Sequence, residues 1–270
     1  MTDDRIAELR RRFAELHESG CFLMPNAWDV GSARLLESLG FDAIATTSSG
    51  FAASLGRHDQ TVTRDELVAH VAALASAVDI PLSVDSEDGY AVDESGLAET
   101  VELLAAAGAA GISIEDYQPG VGIRPLEQAT GRVGAYVEAA ARHGLTVTAR
   151  AENHLYETGD LDDTIDRLRS FVAAGAHVVY APGLQTEAEL RQVVFESGAP
   201  VNALLGSDAP AVGVMADLGV RRLSTGGSLT FAAYGATASA ARELLAEGTS
   251  TYTEHGLTWR ERRRAFDPRD

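Results

Sequence analysis

The sequence holds one cysteine, Cys21, in 270 residues. No internal disulfide can form, which excludes a disulfide-stapled scaffold. Cys21 sits in the apolar run Cys21-Phe22-Leu23-Met24, a setting that favours burial over reactivity. Long apolar runs are also missing, and none reaches the roughly 20 residues a membrane-spanning helix needs. The first residues are charged and polar rather than leader-like, so a cytoplasmic protein is expected. Positive charge is the third scarcity. Lys and Arg total 22 against 40 Asp and Glu, a formal net charge of −18. Such a chain repels nucleic acid and anionic membranes, so neither is an expected partner. The one dense basic run, residues 260–264, reads as a solvated helix end. A small anionic substrate would need a local positive focus, either a metal ion or a placed arginine.

What the chain does contain suffices for a core: 45% hydrophobic residues against 23% charged. Ile6, Leu9, Phe13 and Leu16 fall at helical spacing, so residues 3–17 predict an amphipathic helix. Beyond it, short apolar runs alternate with longer helical patterns. Runs at 21–25, 42–47, 81–85, 111–115, 146–150, 177–181, 200–204 and 221–224 read as strands. Residues 64–78, 95–107, 128–143, 161–174 and 187–196 are the clearest helices between them. Small-residue turns such as Ala107-Gly108-Ala109 precede strands, where glycine tolerates the left-handed conformation. Parallel neighbours need crossovers, so strands alternating with helices imply a parallel sheet. Eight such units predict a closed (β/α)8 TIM barrel, one α/β domain over residues 1–270. An alanine-rich helical extension covers 230–248, and the tail after it packs on the barrel or on a neighbouring subunit. An open doubly wound sheet is the alternative. It normally carries a glycine-rich turn after the first strand, where this chain has Pro25-Asn26-Ala27-Trp28-Asp29.

A barrel places its active site at the C-terminal ends of its strands. Polar residues gather at those expected ends: Asn26, Trp28 and Asp29; Thr46 to Ser49 and then Asp59; Asp85, Glu87 and Asp88; Glu115 and Asp116; Arg150, Glu152 and His154; Asn202. In Val84-Asp85-Ser86-Glu87-Asp88-Gly89-Tyr90, strand alternation would put Asp85 and Glu87 on one side. Two carboxylates there repel unless a cation lies between them, and Mg²⁺ suits such oxygens. A helix cap with solvated neighbours is the simpler reading of the same residues. Glu115 extends the acidic cluster to the next strand, and Arg150 suits a bidentate grip on a substrate carboxylate. An ion pair of Arg150 with Glu152 or Glu115 is compatible with that grip. Ser48 and nearby amides suit the remaining oxygens. Together a cation and Arg150 would stabilise the enolate of a 2-oxo acid. Trp28 and Asn202 are pocket candidates, with packing and a structural hydrogen bond as their plainer roles. His58 and His154 lie near strand ends, and no histidine spacing suggests zinc.

At these motifs the chain resembles the isocitrate lyase and phosphoenolpyruvate mutase superfamily. The matching stretches are Pro25-Asn26-Ala27-Trp28-Asp29, residues 46–56, residues 84–90, Gly111-Ile112-Ser113-Ile114-Glu115-Asp116 and Ala149-Arg150-Ala151-Glu152-Asn153. They run in family order. The resemblance implies a TIM barrel, often a tetramer, with its last helix exchanged between subunits. It implies Mg²⁺ or Mn²⁺ near the acidic cluster and C–C or P–C chemistry beside a 2-oxo carboxylate. It implies that Asp85 and Glu87 are the metal pair, Glu87 one methylene longer than the family's Asp. It implies that Glu115 supports the metal's waters, that Asp59 is an acid near the metal, that Thr47, Ser48 and Ser49 bind substrate carboxylate, and that Arg150 binds substrate.

One departure stands out. The family's C–C lyases carry a loop of the Lys-Lys-Cys-Gly-His type after the fourth strand, and its Cys donates a proton. Here Tyr117-Gln118-Pro119-Gly120-Val121-Gly122-Ile123-Arg124 holds no Cys, Lys or His. It reads as a mobile lid or as a plain connection, with Tyr117 or Arg124 available as polar groups. The expectation is a Mg²⁺-dependent lyase-type enzyme on a small carboxylate, oxaloacetate-like or phosphonopyruvate-like, with Asp59 the candidate proton carrier. The alternative is an altered barrel that binds metal and a small acid without turnover. A homo-oligomer, tetramer or dimer with a swapped C-terminal helix, is expected by resemblance alone.

Overall fold

The computed structural model describes residues 2–184 and 186–268. Eight parallel strands form the central sheet: β1 (Phe22–Met24), β2 (Ile44–Ala45), β3 (Leu82–Val84), β4 (Gly111–Glu115), β7 (Thr146–Arg150), β8 (Val178–Tyr180), β9 (Val201–Leu204) and β10 (Arg222–Ser224). Between β4 and β7 lies a two-stranded hairpin, β5 (Tyr117–Gln118) and β6 (Gly122–Ile123). The sheet order is β1-β10-β9-β8-β7-β4-β3-β2. β1 and β2, at its two ends, meet through a parallel bridge between Asn26 and Ala45. Ala27 N donates to Ala45 O at 2.7 Å and Ala45 N to Pro25 O at 2.9 Å, which closes the barrel.

The strands were legible because both of their faces are covered. β3, β4, β8 and β10 are buried throughout, and such strands read as near-continuous apolar runs. The helices lie outside, and the main apolar core fills the layer between them and the sheet, with Leu74, Leu97, Leu104, Ile112, Ile165 and Leu168 fully enclosed. Helix starts follow side-chain chemistry. Thr63 with Glu66, and Thr186 with Glu189, form reciprocal capping boxes. Asp29, a polar candidate at the end of β1, caps the helix Val30–Ser38 by accepting from Ser32 N at 2.6 Å.

The N-terminal helix, Asp3–Glu15, plugs the base of the barrel. Phe13 is fully buried and leaves no room for a side chain at Gly111. The His17 ring packs edge-on between Phe13 and Phe22, at 4.8 and 5.0 Å between centroids. The base is thereby shut, so access is from the opposite end.

One sequence expectation gains detail and one needs correction. The segment at 117–124, expected as a mobile lid or a plain connection, is a short hairpin pinned by Arg124. Arg124 Nη1 donates to Gln118 Oε1 at 2.7 Å and Nη2 to Asp88 Oδ2 at 2.8 Å. The second strand was expected to run through residue 47, but Thr47 already caps the helix Ser48–Ser54. The tail helix Trp259–Phe266 packs against Val30–Ser38, with its arginines exposed as expected.

Candidate active site

A cavity of about 190 Å³ opens at the C-terminal ends of the strands. Thr47, Ser48, Ser49, Asp59, Asp85, Arg150, Tyr180 and Asn202 are among its lining residues. A larger cavity, about 720 Å³, lies at the other end against the helix Asp3–Glu15 and carries no comparable cluster. At its most acidic it brings Asp3 and Glu102 near Arg10 and Arg11.

Arg150, at the end of β7, organises the upper site. Its Nε donates to Glu152 Oε1 at 2.8 Å and its Nη1 to Asp85 Oδ1 at 2.7 Å, while Nη2 lies 3.2 Å from Glu115 Oε2. The ring of Tyr180 lies 5.4 Å below its guanidinium carbon. A guanidinium has five N–H bonds, so at least two remain for a ligand. Asp85 is fixed from three sides. Beyond Arg150, its Oδ2 accepts from Ser48 N at 3.1 Å, and its own N–H donates to Thr46 Oγ1 at 2.9 Å. Ser48 N–H is therefore committed to Asp85 and is not a free substrate donor.

The acidic residues arrive by different routes. β3 stops at Val84, so strand alternation does not carry Glu87 to the side of Asp85. Glu87 and Tyr90 instead adopt left-handed backbone, φ +46° and +53°, around Asp88-Gly89. This turn buries Glu87 and directs Tyr90 Oη onto Glu87 Oε1 at 2.6 Å. Glu87 and Glu115 stand outside the cavity lining, behind Asp85 and Arg150. Burial, and then the charges of Asp85, Asp59 and Asp88, raise Glu87 to about 7 against the help of Tyr90. Burial raises Glu115 well above the carboxylate range, opposed by Arg150. Asp59 is raised by burial and by Asp85, while the Ser48 hydroxyl and Gln60 N–H hold it back.

Asp85, Glu115 and Glu152 all pair with Arg150, and among the described residues neither Asp59 nor Glu87 forms an ion pair. Hard oxygens in excess of positive charge fit a divalent ion that keeps its own waters. Among the described residues no three His, Cys, Asp or Glu side chains are placed to cage an ion. A cation here would accordingly lean on few protein oxygens, with Asp85 the acid of the pair that faces the cavity.

The remaining candidates fall into place around this centre. Thr47 Oγ1 lies 3.2 Å from Ser49 Oγ and accepts from Gly50 N at 3.3 Å. Trp28 is half-buried beside Gly50 and is not among the lining residues. Asn202 lines the cavity, but its amide is engaged: Oδ1 accepts from Arg222 Nε at 2.8 Å and Nδ2 donates to Ser224 Oγ at 3.0 Å. Asp116 receives Arg167 at 3.1 Å and Glu152 N at 2.8 Å, which fixes the segment behind Arg150. His154 sits outside the cavity, 3.8 Å from Glu189. Tyr180 and Arg222 were not singled out in the sequence. The signal for Arg222 was present: of two adjacent arginines in a barrel strand, one must point inward.

Across the mouth, Tyr117 of the hairpin stacks on Tyr156 at 4.1 Å and 5°. Gln60, next to Asp59, donates to Tyr156 Oη at 3.4 Å. Three loops thus meet above the site.

A closed barrel with acids and an arginine gathered at its strand ends has its candidate site where barrel enzymes carry theirs. Comparison with known proteins makes this specific: the phosphoenolpyruvate phosphomutase family model matches residues 13–245, and the chain belongs to that family. It is 36% identical over 237 residues to an uncharacterised protein of Mycobacterium tuberculosis, covering 86% of this chain and 88% of that one. It is 30% identical over 231 residues to an oxaloacetate decarboxylase of Rhodopseudomonas palustris, covering 82% and 77%. A crystal structure from Burkholderia cenocepacia, described as a lyase or mutase, is 41% identical, with TM-score 0.94 over 99% of this chain and 98% of that one. The same barrel recurs in the solved structures of an oxaloacetate acetylhydrolase and a phosphoenolpyruvate phosphomutase.

Proposed function

We propose that this chain is a divalent-metal-dependent lyase-type enzyme that breaks or forms a C–C or P–C bond beside a 2-oxo carboxylate. The observation that carries the reading is Arg150, held by Asp85, Glu115 and Glu152 with N–H bonds left over at a small cavity. A volume of about 190 Å³ suits a small acid and excludes a nucleotide. The oxaloacetate decarboxylase relative supports a short oxo acid.

In this reading Arg150 binds and orients the substrate carboxylate, and Ser49 offers its hydroxyl to the remaining oxygens, while the Ser48 hydroxyl is given to Asp59. Asp85, backed by Glu87 and Glu115, would hold Mg²⁺ or Mn²⁺. The ion would polarise the substrate's oxo group as a Lewis acid. Asp59, at the cavity wall and hydrogen-bonded by the Ser48 hydroxyl, is the group placed to give or take a proton. The chain contains no lysine, so a Schiff base to a lysine amine is unavailable and enolate stabilisation falls to charge. The hairpin over the site brings no Cys, His or Lys, which distinguishes this site from the Cys-loop lyases.

Turnover of a panel of small 2-oxo and 2-hydroxy acids with Mg²⁺, compared with the Asp85→Ala variant, tests this reading. Metal-dependent turnover that the variant loses supports it. Turnover of no acid, with metal and acid still bound, would favour the altered barrel without catalysis.

We also propose that the chain works as a homo-oligomer in which the C-terminal extension's helix Ser228–Ala246 is exchanged onto a neighbouring copy. Over 19 residues the helix Ser228–Ala246 buries only Thr230, and Phe231, Leu244 and Leu245 stand exposed. An apolar helix so uncovered fits a neighbouring copy. Light scattering that gives a monomer at micromolar concentration would contradict it.

A further inference from the structure

Residues 85–92, which carry Asp85 and Glu87, lie in neither a strand nor a helix, so their carbonyls have no regular ladder to join. They are met one by one. Gly89 N donates to Ser86 O at 2.8 Å, Glu115 N to Glu87 O at 3.0 Å, and Thr100 Oγ1 to Gly89 O at 2.9 Å. A single side chain takes three more. Arg132 Nη2 donates to Asp88 O at 2.7 Å and to Ala91 O at 2.8 Å, and its Nη1 donates to Val92 O at 3.3 Å. Arg132 is 8% exposed, and among the described residues no carboxylate pairs with it. Arg124, Arg150 and Arg167, by contrast, each meet a carboxylate. One turn further along the helix Leu126–Ala141, on the same face, Tyr136 is fully buried and its Oη lies 2.7 Å from Ser86 Oγ. The Ser86 hydroxyl gives its one proton to Ser113 O, so Tyr136 is the donor to Ser86.

A buried guanidinium given to three neutral carbonyls is costly. The turn it holds is strained. Glu87 and Tyr90 keep left-handed backbone at φ +46° and +53°, and Gly89 between them, at φ +87°, has no room for a side chain against Leu97. Such strain persists only where the surroundings over-determine it. We infer that Arg132 and Tyr136 are positioning residues for the acidic site. One face of the helix Leu126–Ala141 holds the turn in shape before any ion or acid arrives, and so fixes where Asp85 and Glu87, on either side of Ser86, present their oxygens. Neither residue lines the cavity, so both act through the turn. The inference rests on Asp85 as the acid that would take the ion. A site shaped in advance loses less freedom on binding, so loosening the turn should appear as lost affinity rather than as lost fold.

The test joins amide exchange of the metal-free protein to calorimetric titration of oxalate with Mg²⁺ present. In the parent, the amides of Gly89 and Tyr90, bonded to Ser86 O and Asp88 Oδ1, are expected to exchange slowly without metal. Arg132→Met should speed their exchange and weaken oxalate binding about tenfold or more. Arg132→Lys keeps a donor and should recover part of both. Tyr136→Phe keeps the ring and removes only Oη, and should weaken binding about threefold. Val133→Ala, which truncates a buried core side chain on the same helix, is the control: it should lower the melting temperature and leave the affinity within about twofold. Equal losses of affinity in Val133→Ala and Arg132→Met would reduce the effect to general destabilisation and overturn the inference. Arg132→Met that binds as tightly as the parent overturns it and leaves the reading of Asp85 standing. Slow exchange that appears only after Mg²⁺ is added overturns it too, because the ion rather than the helix would then shape the turn. A parent that binds neither Mg²⁺ nor oxalate takes down both readings. If Arg132→Met does not fold, Arg132→Lys and Tyr136→Phe decide by the same two measurements.

Discussion

Asp85 and Arg150, 65 residues apart in sequence, are joined by a 2.7 Å hydrogen bond at the mouth of the barrel. The bond ties β7 to the segment after β3 and leaves Asp85 facing the cavity. Asp85→Ala removes the acid but leaves Arg150 its bonds to Glu152 and Glu115. The variant is expected to keep its circular dichroism and melting behaviour and to lose metal-dependent turnover by at least a hundredfold. Full activity in this variant would contradict the role given to Asp85.

Arg150→Met should act differently. It leaves Glu115, Glu152 and Asp85 buried beside one another without their counter-charge. Breaking one side of such a cluster costs about 3–5 kcal/mol. Urea unfolding should show that loss at neutral pH. A variant as stable as the parent would mean that the carboxylates are already protonated.

Gly50 is set where nothing larger fits. A Cβ there would overlap Thr230 Oγ1 and come within 2.5 Å of Thr47 Cγ2 and 3.2 Å of Trp28 Cβ. Gly50→Ala should cost about 1–3 kcal/mol and displace the helix Ser48–Ser54 that supplies Ser48 N–H to Asp85. Thermal melting reads the first effect, and the affinity for oxalate reads the second.

His17 gives the acid limb of stability a defined sign. It titrates near 6.5 when unfolded and is held at about 3 when folded, chiefly by burial and then by Arg222. Below about 6.5 the unfolded chain takes up a proton that the folded chain refuses. The contribution is complete above that pH and is lost as pH falls toward 3. His17→Gln should flatten this slope by about one proton, or roughly 1.4 kcal/mol per pH unit. An unchanged slope in urea melts between pH 6.5 and 4 would contradict the buried neutral imidazole.

The Tyr117–Tyr156 stack holds three loops over the site. Tyr156→Ala should cost about 0.5–1.5 kcal/mol locally. Amide exchange should speed up at 55–63 and 117–124 while the barrel strands stay protected. Uniform exchange rates in the two proteins would show that the stack does not restrain these loops.

The strands at 111–115 and 146–150 were readable to the residue, because doubly covered strands announce themselves as apolar runs. The structure brings Asp59, Asp85 and Arg150 to one cavity: Arg150 ends β7 and Asp85 directly follows β3, as the sequence pattern let one expect, whereas Asp59 lies beyond the helix Ser48–Ser54 and was singled out by resemblance. The left-handed turn at Glu87 was not readable. Its φ of +46° belongs to a non-glycine residue, and only the surrounding packing imposes it. The hairpin at 117–123 was missed because each strand is two residues long and is fixed by Arg124 reaching to Asp88, 36 positions away. The pairing of Asn202 with Arg222 was hidden for the same reason: it joins neighbouring strands 20 residues apart.

The most direct test of the central claim is calorimetric titration of metal-stripped protein with oxalate, a mimic of the pyruvate enolate, with and without Mg²⁺. The account predicts oxalate binding that requires the ion and is lost in Asp85→Ala. Binding of neither oxalate nor Mg²⁺ would contradict it and leave the acidic cluster a structural feature of the barrel.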